Sequence, residues 1–395
     1  MKAAHKRLSC VFGLAMSSAG LADAWSTRVS LETRWFPDPP LFADQTAYRA
    51  AGSVAVEPQW RWRSANGSQR FNLKAFARWD QRDPERTHID LREALWERDV
   101  GRWVVAAGVG RVFWGVTESR HLVDVINQTD AVEDIDEEDR LGQPMVSIER
   151  MTDAGSWTVW ALPGFRERTM PDSSARLRGP VPIAARSSFE SGAGRRRMDA
   201  ATRWTQVRGG WDIGVSAFYG TSREPRWVSQ DNAWLPRYDV MGQLSLDAQW
   251  TTGPWLWKAE ALRRSGPGYR FTAAVVGLEA ARFNIFQSGT DLSLIAEYLR
   301  DDRPHNAPPT AFDDDVFVGV RWAKNDPDAT SLLVGLYYDR NASGRIGFLE
   351  AERRLGAQWK LEMETRWLQS IATGNPVYDA LMHDSFVTLR LSRFY

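Results

Sequence analysis

The strongest constraint on this chain is a recurring pattern of short segments in which apolar and polar side chains alternate. In Ala357 to Leu368, Trp359, Leu361, Met363, Thr365 and Trp367 form one row, and Gln358, Lys360, Glu362, Glu364 and Arg366 the other. Phe71, Leu73, Ala75, Ala77 and Trp79 oppose Arg70, Asn72, Lys74, Arg78 and Asp80 in the same way. Val54, Val56, Trp60 and Trp62 oppose Glu57, Gln59, Arg61 and Arg63, with Pro58 predicting a bulge, and Leu244, Leu246, Ala248 and Trp250 oppose Gln243, Ser245, Asp247 and Gln249. A period of two is a strand with one greasy and one polar face. Each segment is about ten residues, the length a tilted strand needs to cross a bilayer.

The same reading places strands at 27–36, 53–64, 69–80, 88–97, 102–111, 144–151, 156–163, 198–207, 211–220, 240–250, 255–264, 270–280, 290–300, 313–323, 330–340, 346–354, 357–368 and 386–395. The expected fold is all-β, a transmembrane antiparallel barrel of about eighteen strands, within a range of sixteen to eighteen. The connections agree with it. Counted from the first strand, every second one is expected on the periplasmic side, and nearly all of these are short turns, such as Ala65-Asn66-Gly67-Ser68, Arg208-Gly209-Gly210 or Leu355-Gly356. The long ones, 37–52, 112–143, 164–197, 221–239 and 370–385, all fall on the other, extracellular side.

The last segment, Ser385 to Tyr395, sets Val387, Leu389, Leu391 and Tyr395 against Thr388, Arg390 and Ser392. A final strand that stops on an aromatic residue resembles the assembly signal of Gram-negative outer-membrane β-barrels, which implies the outer membrane as destination and the barrel-assembly machinery as a partner. Arg393 sits in the lipid row, near enough to its end to snorkel.

The start of the chain fits export. Lys2, Lys6 and Arg7 precede an apolar stretch from Leu8 to Leu21 and an Ala22-Asp23-Ala24 cleavage site, so residues 1–24 are predicted to be a signal peptide and 25–395 the barrel. The single cysteine, Cys10, lies in the signal, which excludes disulfides, thiolate metal sites and a cysteine nucleophile from the mature chain. Aromatic content of 12% with 20 Trp, beside 25% charged residues, suits interfacial girdles and a polar lumen. Only six of the 50 Lys and Arg residues are Lys, which reads either as a guanidinium-lined path for carboxylates or phosphates or as genomic bias toward Arg.

The third outer loop, 112–143, is the candidate site. Its acids Asp130, Glu133, Asp134, Asp136, Glu137, Glu138 and Asp139 would place a negative field at a constriction if the loop folds inward, opposite wall residues Arg61, Arg63, Lys74, Arg78, Lys360, Glu362, Glu364, Arg366 and Arg390. Otherwise they form a solvated outer loop bridged by divalent ions to lipopolysaccharide. The run lacks the glycine and oxygen register of a helix-loop-helix Ca²⁺ site, leaving only a looser Ca²⁺ site compatible with it. Leu122, Val123, Val125 and Ile126 predict a short helix over Ser119 to Gln128. The fourth loop carries Arg166, Arg168, Arg176, Arg178, Arg186, Arg195, Arg196 and Arg197, suited to pairing with the acidic loop or with lipopolysaccharide phosphates.

A strand entering Gly110-Arg111-x-x-Trp114-Gly115, followed by Asp124-x-Ile126-Asn127-x-x-Asp130, resembles a motif of porin-like outer-membrane proteins, in particular the large-barrel family of domain of unknown function 1302. The resemblance implies barrel architecture and leaves the cargo open. The expected function is passive diffusion of small polar or anionic solutes, by a monomer or homotrimer, with no nucleic acid, resident metal or catalytic role. The alternatives are a barrel moving apolar compounds, a passive or self-filled barrel, and an outer-rim hydrolase using His88 with Asp90, His121 with Asp124, His305, or His383 with Asp384.

Overall fold

The computed structural model describes residues 23–179, 181–341, 344–369 and 384–395. Eighteen strands make one antiparallel sheet that closes on itself. In chain order they are β1 (Asp23–Trp35), β2 (Ala50–Arg63), β3 (Gln69–Asp80), β4 (His88–Val100), β5 (Trp103–Gly110), β6 (Gln143–Thr152), β7 (Gly155–Pro163), β8 (Met198–Arg208) and β9 (Trp211–Thr221). The second half runs β10 (Val240–Thr252), β11 (Trp255–Gly266), β12 (Tyr269–Ile285), β13 (Thr290–Asp301), β14 (Asp314–Lys324), β15 (Ser331–Asp339), β16 (Arg345–Leu355), β17 (Trp359–Gln369) and β18 (Phe386–Phe394). Each predicted strand coincides with one of these. Of the signal-peptide expectation, all but Asp23 and Ala24 lies outside the described residues, as do Cys10, His383 and most of the loop 370–385.

Every strand pairs with its sequence neighbours, and β1 pairs with both β2 and β18. The closing ladder reaches the last residue, since Thr27 and Tyr395 exchange both backbone hydrogen bonds, at 3.2 and 2.9 Å. Closure leaves the sheet without an open edge, the condition for crossing hydrocarbon. One row of side chains therefore faces outward, as at Leu31, Val276, Leu294 and Val318, which are large, apolar and exposed. The other row faces inward and carries the charge. Arg393 stands in the outward row with its guanidinium 5.3 Å from the Trp359 ring and 4.7 Å from the Tyr395 ring, a snorkelling cation inside an aromatic girdle.

Three local expectations are corrected. Pro58 produces no bulge: the β2–β3 ladder skips Glu57 and Pro58 but keeps its register, because a missing N–H costs one rung and needs no extra residue. The bulge lies in β4, where Lys74 faces Glu93 and Ala75 faces Leu91, leaving Arg92 as the additional residue. β12 runs five residues past its predicted end, through an irregularity between Arg282 and Ile285, because backbone pairing continues after the apolar alternation has stopped. The third correction, the absent helix in the long loop, belongs to the site.

Outside the barrel wall, Arg226–Gln230 and Ala233–Tyr238 form a hairpin joined in parallel by Ser188–Phe189, a small sheet made by the long connections 164–197 and 221–239. Phe165, Phe189 and Tyr238 stack beneath it.

The facing of the rows sets a test. Val318→Arg places a cation on the outward face of mid-β14 and should destabilise the folded barrel by about 2–4 kcal/mol in reversible denaturant unfolding from vesicles. An unchanged midpoint would mean that this row does not meet lipid.

Candidate functional site: a loop laid across the barrel interior

Residues 111–142, between β5 and β6, touch strands on every side of the tube. Glu133 meets Arg78 of β3 at 2.7 Å and accepts through its carbonyl from Arg34 of β1 at 2.9 Å. Asp130 meets Arg92 of β4 at 2.6 Å, and Asp136 meets Arg366 of β17 at 2.7 Å. On the far wall, Glu118 meets Arg321 of β14 at 2.6 Å, and the Ser119 carbonyl accepts from the Tyr337 hydroxyl of β15 at 2.8 Å. A segment held by β1, β3, β4, β14, β15 and β17 of a closed barrel lies across its interior.

Two wall carboxylates anchor it through its backbone. Glu260 of β11 accepts from the Val116 and Thr117 amides at 2.6 and 3.0 Å and from the Thr117 hydroxyl at 2.8 Å, while its second oxygen takes the Val123 amide at 3.2 Å. Glu297 of β13 accepts from the Glu118 and Ser119 amides, both at 2.8 Å. Hydrogen bonds to a charged acceptor are the stronger kind. Neither residue was expected from sequence, although one signal was there: Glu297 is flanked across the ladders by Gly277 and Phe317, so this inward acid has no cation beside it and needs another partner.

The motif residues shape the loop. Asn127 accepts from the Val112 amide at 2.8 Å and donates to the Gly110 and Leu141 carbonyls at 2.9 and 2.8 Å, clasping both stems. Gly115 holds φ of +133°, and a Cβ there would stand 3.0 Å from Glu260 Oε1. Trp114 packs on Trp160 with Arg203 5.1 Å from its ring, and Asp124 pairs with Arg140 at 3.2 Å. The stretch Ser119 to Gln128 is a series of turns and bends, not a helix. Its apolar residues point two ways: Leu122 joins the aromatic cluster on β11 to β15, while Val123, Val125 and Ile126 pack with Met145, Leu162 and Phe218. A helix would present one face only.

The predicted wall residues all stand in the inward rows. Arg61 and Arg63 are exposed near the end that carries Asp23 and Tyr395. Lys74 pairs with Glu57 at 2.9 Å, Lys360 with Glu352 and Glu362 at 2.7 and 2.9 Å, and Glu364 with Arg390 at 3.2 Å. Glu32, unmarked in the sequence reading, is nearly inaccessible and receives Arg86, Arg390 and Arg78 at 2.6, 2.9 and 3.3 Å.

The acidic run thus meets arginine by contact rather than across a gap. Burial pushes the Asp130 carboxyl up, but the His88 imidazole 3.3 Å away and the Arg92 guanidinium outweigh it and hold it at about 2. Glu138 and Asp139 are the exceptions. Among the described residues Glu138 meets only His121, at 3.8 Å. No cation pairs with Asp139 among the described residues; water reaches it, yet the surrounding protein leaves its carboxylate poorly solvated, and this desolvation, reinforced by the neighbouring Glu133 charge, pushes its carboxyl up to about 7. Asp136, Glu137, Glu138 and Asp139 are solvent-accessible while the barrel encloses them; the Glu138 side chain is 66% exposed. In the fourth loop, Arg168 reaches Glu137 at 2.8 Å, whereas Arg166 pairs with Asp90, Arg176 with Asp384, Arg178 with Asp44, Arg186 with Asp231, Arg195 with Glu167 and Arg197 with Asp199.

Among the described residues the histidines do not converge. His88 faces Asp130 and Glu133 at 3.3 and 3.9 Å rather than Asp90, His121 faces Glu138 at 3.8 Å rather than Asp124, and His305 is exposed. His88, Asp130 and Glu133 could converge on a metal ion, yet both carboxylates are already engaged by Arg92 and Arg78.

Replacing both anchors, Glu260→Ala with Glu297→Ala, should accelerate amide hydrogen exchange at Val116 to Ser119 by about 10- to 100-fold, leaving the strand amides protected. Unchanged exchange would assign the loop's position to apolar packing alone.

No family model matches the chain and no curated protein matches it, so nothing in these comparisons supports the resemblance to the family of domain of unknown function 1302. The solved structures are informative about the fold. The chain resembles a BenF-like porin from Pseudomonas fluorescens Pf-5 (TM-score 0.55, 11% identity, 95% of this chain and 97% of that one). It also resembles OpdO of Pseudomonas aeruginosa (0.53, 9%, 94% and 96%) and OccD3 of the same organism (0.52, 11%, 96% and 92%). The fold is that of an outer-membrane porin-type barrel.

Proposed function

We propose that the protein is an outer-membrane channel for passive diffusion of small polar solutes, anionic ones included, with the loop 111–142 forming the narrow part of the path. The observation that carries this reading is the accessible acidic tip, Asp136 to Asp139, held inside a closed barrel by Arg366 of β17 and by Arg168 of the fourth outer loop. A water-filled lumen is the simplest account of charged groups that are both enclosed and accessible. The interior supplies guanidinium groups on β1, β3, β4, β17 and β18, whose planar forks suit carboxylate-bearing solutes. Because most of the loop acids already touch a cation, charge filtering falls on the few that do not, chiefly Asp139.

One of the similar structures is a BenF-like porin, which supports transport in preference to hydrolysis, and the scatter of the described histidines supports the same preference.

The test is the reversal potential of bilayers holding the purified protein in a salt gradient. Asp136→Asn, Glu138→Gln and Asp139→Asn together should move the cation-to-anion permeability ratio toward anions by about twofold or more. Asp139 also predicts a pH effect. Its carboxyl is neutral below its raised pKa and charged above it, so cation preference should rise between about pH 6 and pH 8 and this step should vanish in Asp139→Asn. Identical ratios in all variants would remove the loop tip from the path.

A further inference from the structure

At the loop-bearing end of β1 to β10, the outward row finishes in uncharged residues such as Trp35, Trp79, Ile89, Met198 and Tyr219. On β11 to β16 the row ends differently. Arg263, Arg270, Arg300, Arg340 and Arg345 are all exposed and lie on consecutive parts of the ladder. Arg263 faces Thr272, two residues from Arg270; Ala274 faces Arg300, which faces Asp314; and Tyr338 faces Arg345. Arg340 donates its amide to the Asp314 carbonyl at 2.9 Å. The five cations form one contiguous band along the rim.

The band is undercompensated. Asp314 is shared by Arg300 and Arg340, at 3.1 and 2.9 Å. Asp302, the other outward acid nearby, accepts from the Thr272 amide. Arg263, Arg270 and Arg345 make no ion pair among the described residues. Beginning at Tyr298 and Val316, next to Arg300 and Asp314, the same outward face holds a concavity of about 560 Å³, lined also by Val276 and Ala296 and reaching Trp250 and Trp257 toward the opposite end of the wall.

We propose that this face binds a phosphorylated glycolipid of the loop-side leaflet, with its phosphates on the arginine band and an acyl chain in the concavity. Guanidinium suits this role because its fork pairs with phosphate oxygens by two parallel hydrogen bonds. Membrane depth supports it as well: the cations follow the apolar row directly, with Tyr298 and Tyr338 at the junction, where headgroups begin. A second copy of the chain is a poorer occupant. It would cover the concavity, but among the described residues the outward row at the same level of β1 to β10 carries no carboxylate to meet five arginines.

The experiment is a titration of the purified full-length barrel in detergent with bisphosphorylated lipid A, its monophosphoryl form and a fully dephosphorylated form, read by native mass spectrometry. Wild-type protein should bind the bisphosphorylated lipid at least tenfold more tightly than the dephosphorylated one, with the monophosphoryl form between. Arg263→Gln with Arg300→Gln and Arg345→Gln should lose tenfold or more, whereas Arg98→Gln with Arg208→Gln, exposed at the opposite end, should bind as wild type. Heat-modifiable gel mobility verifies that each variant is folded. Equal binding of the three lipids, equal binding by the triple variant, or a lipid-independent oligomer that excludes lipid A from wild-type protein would overturn the proposal.

Discussion

Closure of the sheet between β1 and β18 is the constraint on which everything else rests. A sheet of this size left open would present two rows of unpaired backbone groups to hydrocarbon, each costing several kcal/mol. Once Thr27 and Tyr395 complete the ladder, no edge is left. The inward row is then released from any duty to meet lipid and is free to hold charge. The long loop exploits that freedom, because its unpaired amides find acceptors on the wall.

Inside the tube, the chemistry is dominated by arginine in contact with carboxylate. Such pairs recover part of the cost of desolvation only when geometry and further hydrogen bonds are good, and Glu32 with its three guanidiniums shows how many partners the wall supplies. The consequence for permeation is a division of labour. Paired acids such as Asp130 and Glu133 fix the loop, while the accessible ones at its tip are those that the proposed channel function assigns to passing solutes. The bulge in β4 belongs to the first group, since it supplies Arg92 as an extra inward residue that reaches Asp130.

The barrel was legible because its signal is local and repeated: a two-residue period marks each strand by itself, and the parity of short and long connections joins them. β12 shows the limit, since a ladder may outlast the side-chain alternation that reveals it. Pro58 shows another, because sequence exposes a missing donor but not which rung it falls on. The inward placement of Lys74, Arg78 and Lys360 followed from the pattern, whereas their partners did not. Glu260 and Glu297 anchor a loop more than a hundred residues away, and no periodicity links them to it. The stripe from Leu122 to Ile126 was readable as apolar, but a stripe is compatible with one helix face or with two separate clusters, and only the walls decide. The outward arginines of β11 to β16 were individually visible and became a band only through the register.

The most direct test of an open path past the loop is single-channel recording of an Asp139→Cys variant, whose new thiol is the only one left if the segment bearing Cys10 is removed on export. Wild-type and variant proteins should both show discrete conductance steps, and a bulky thiol-reactive reagent should lower those of the variant by about half or more while sparing the wild type. Silence from folded, inserted barrels, or steps in the variant that the modified thiol leaves unchanged, would contradict the account.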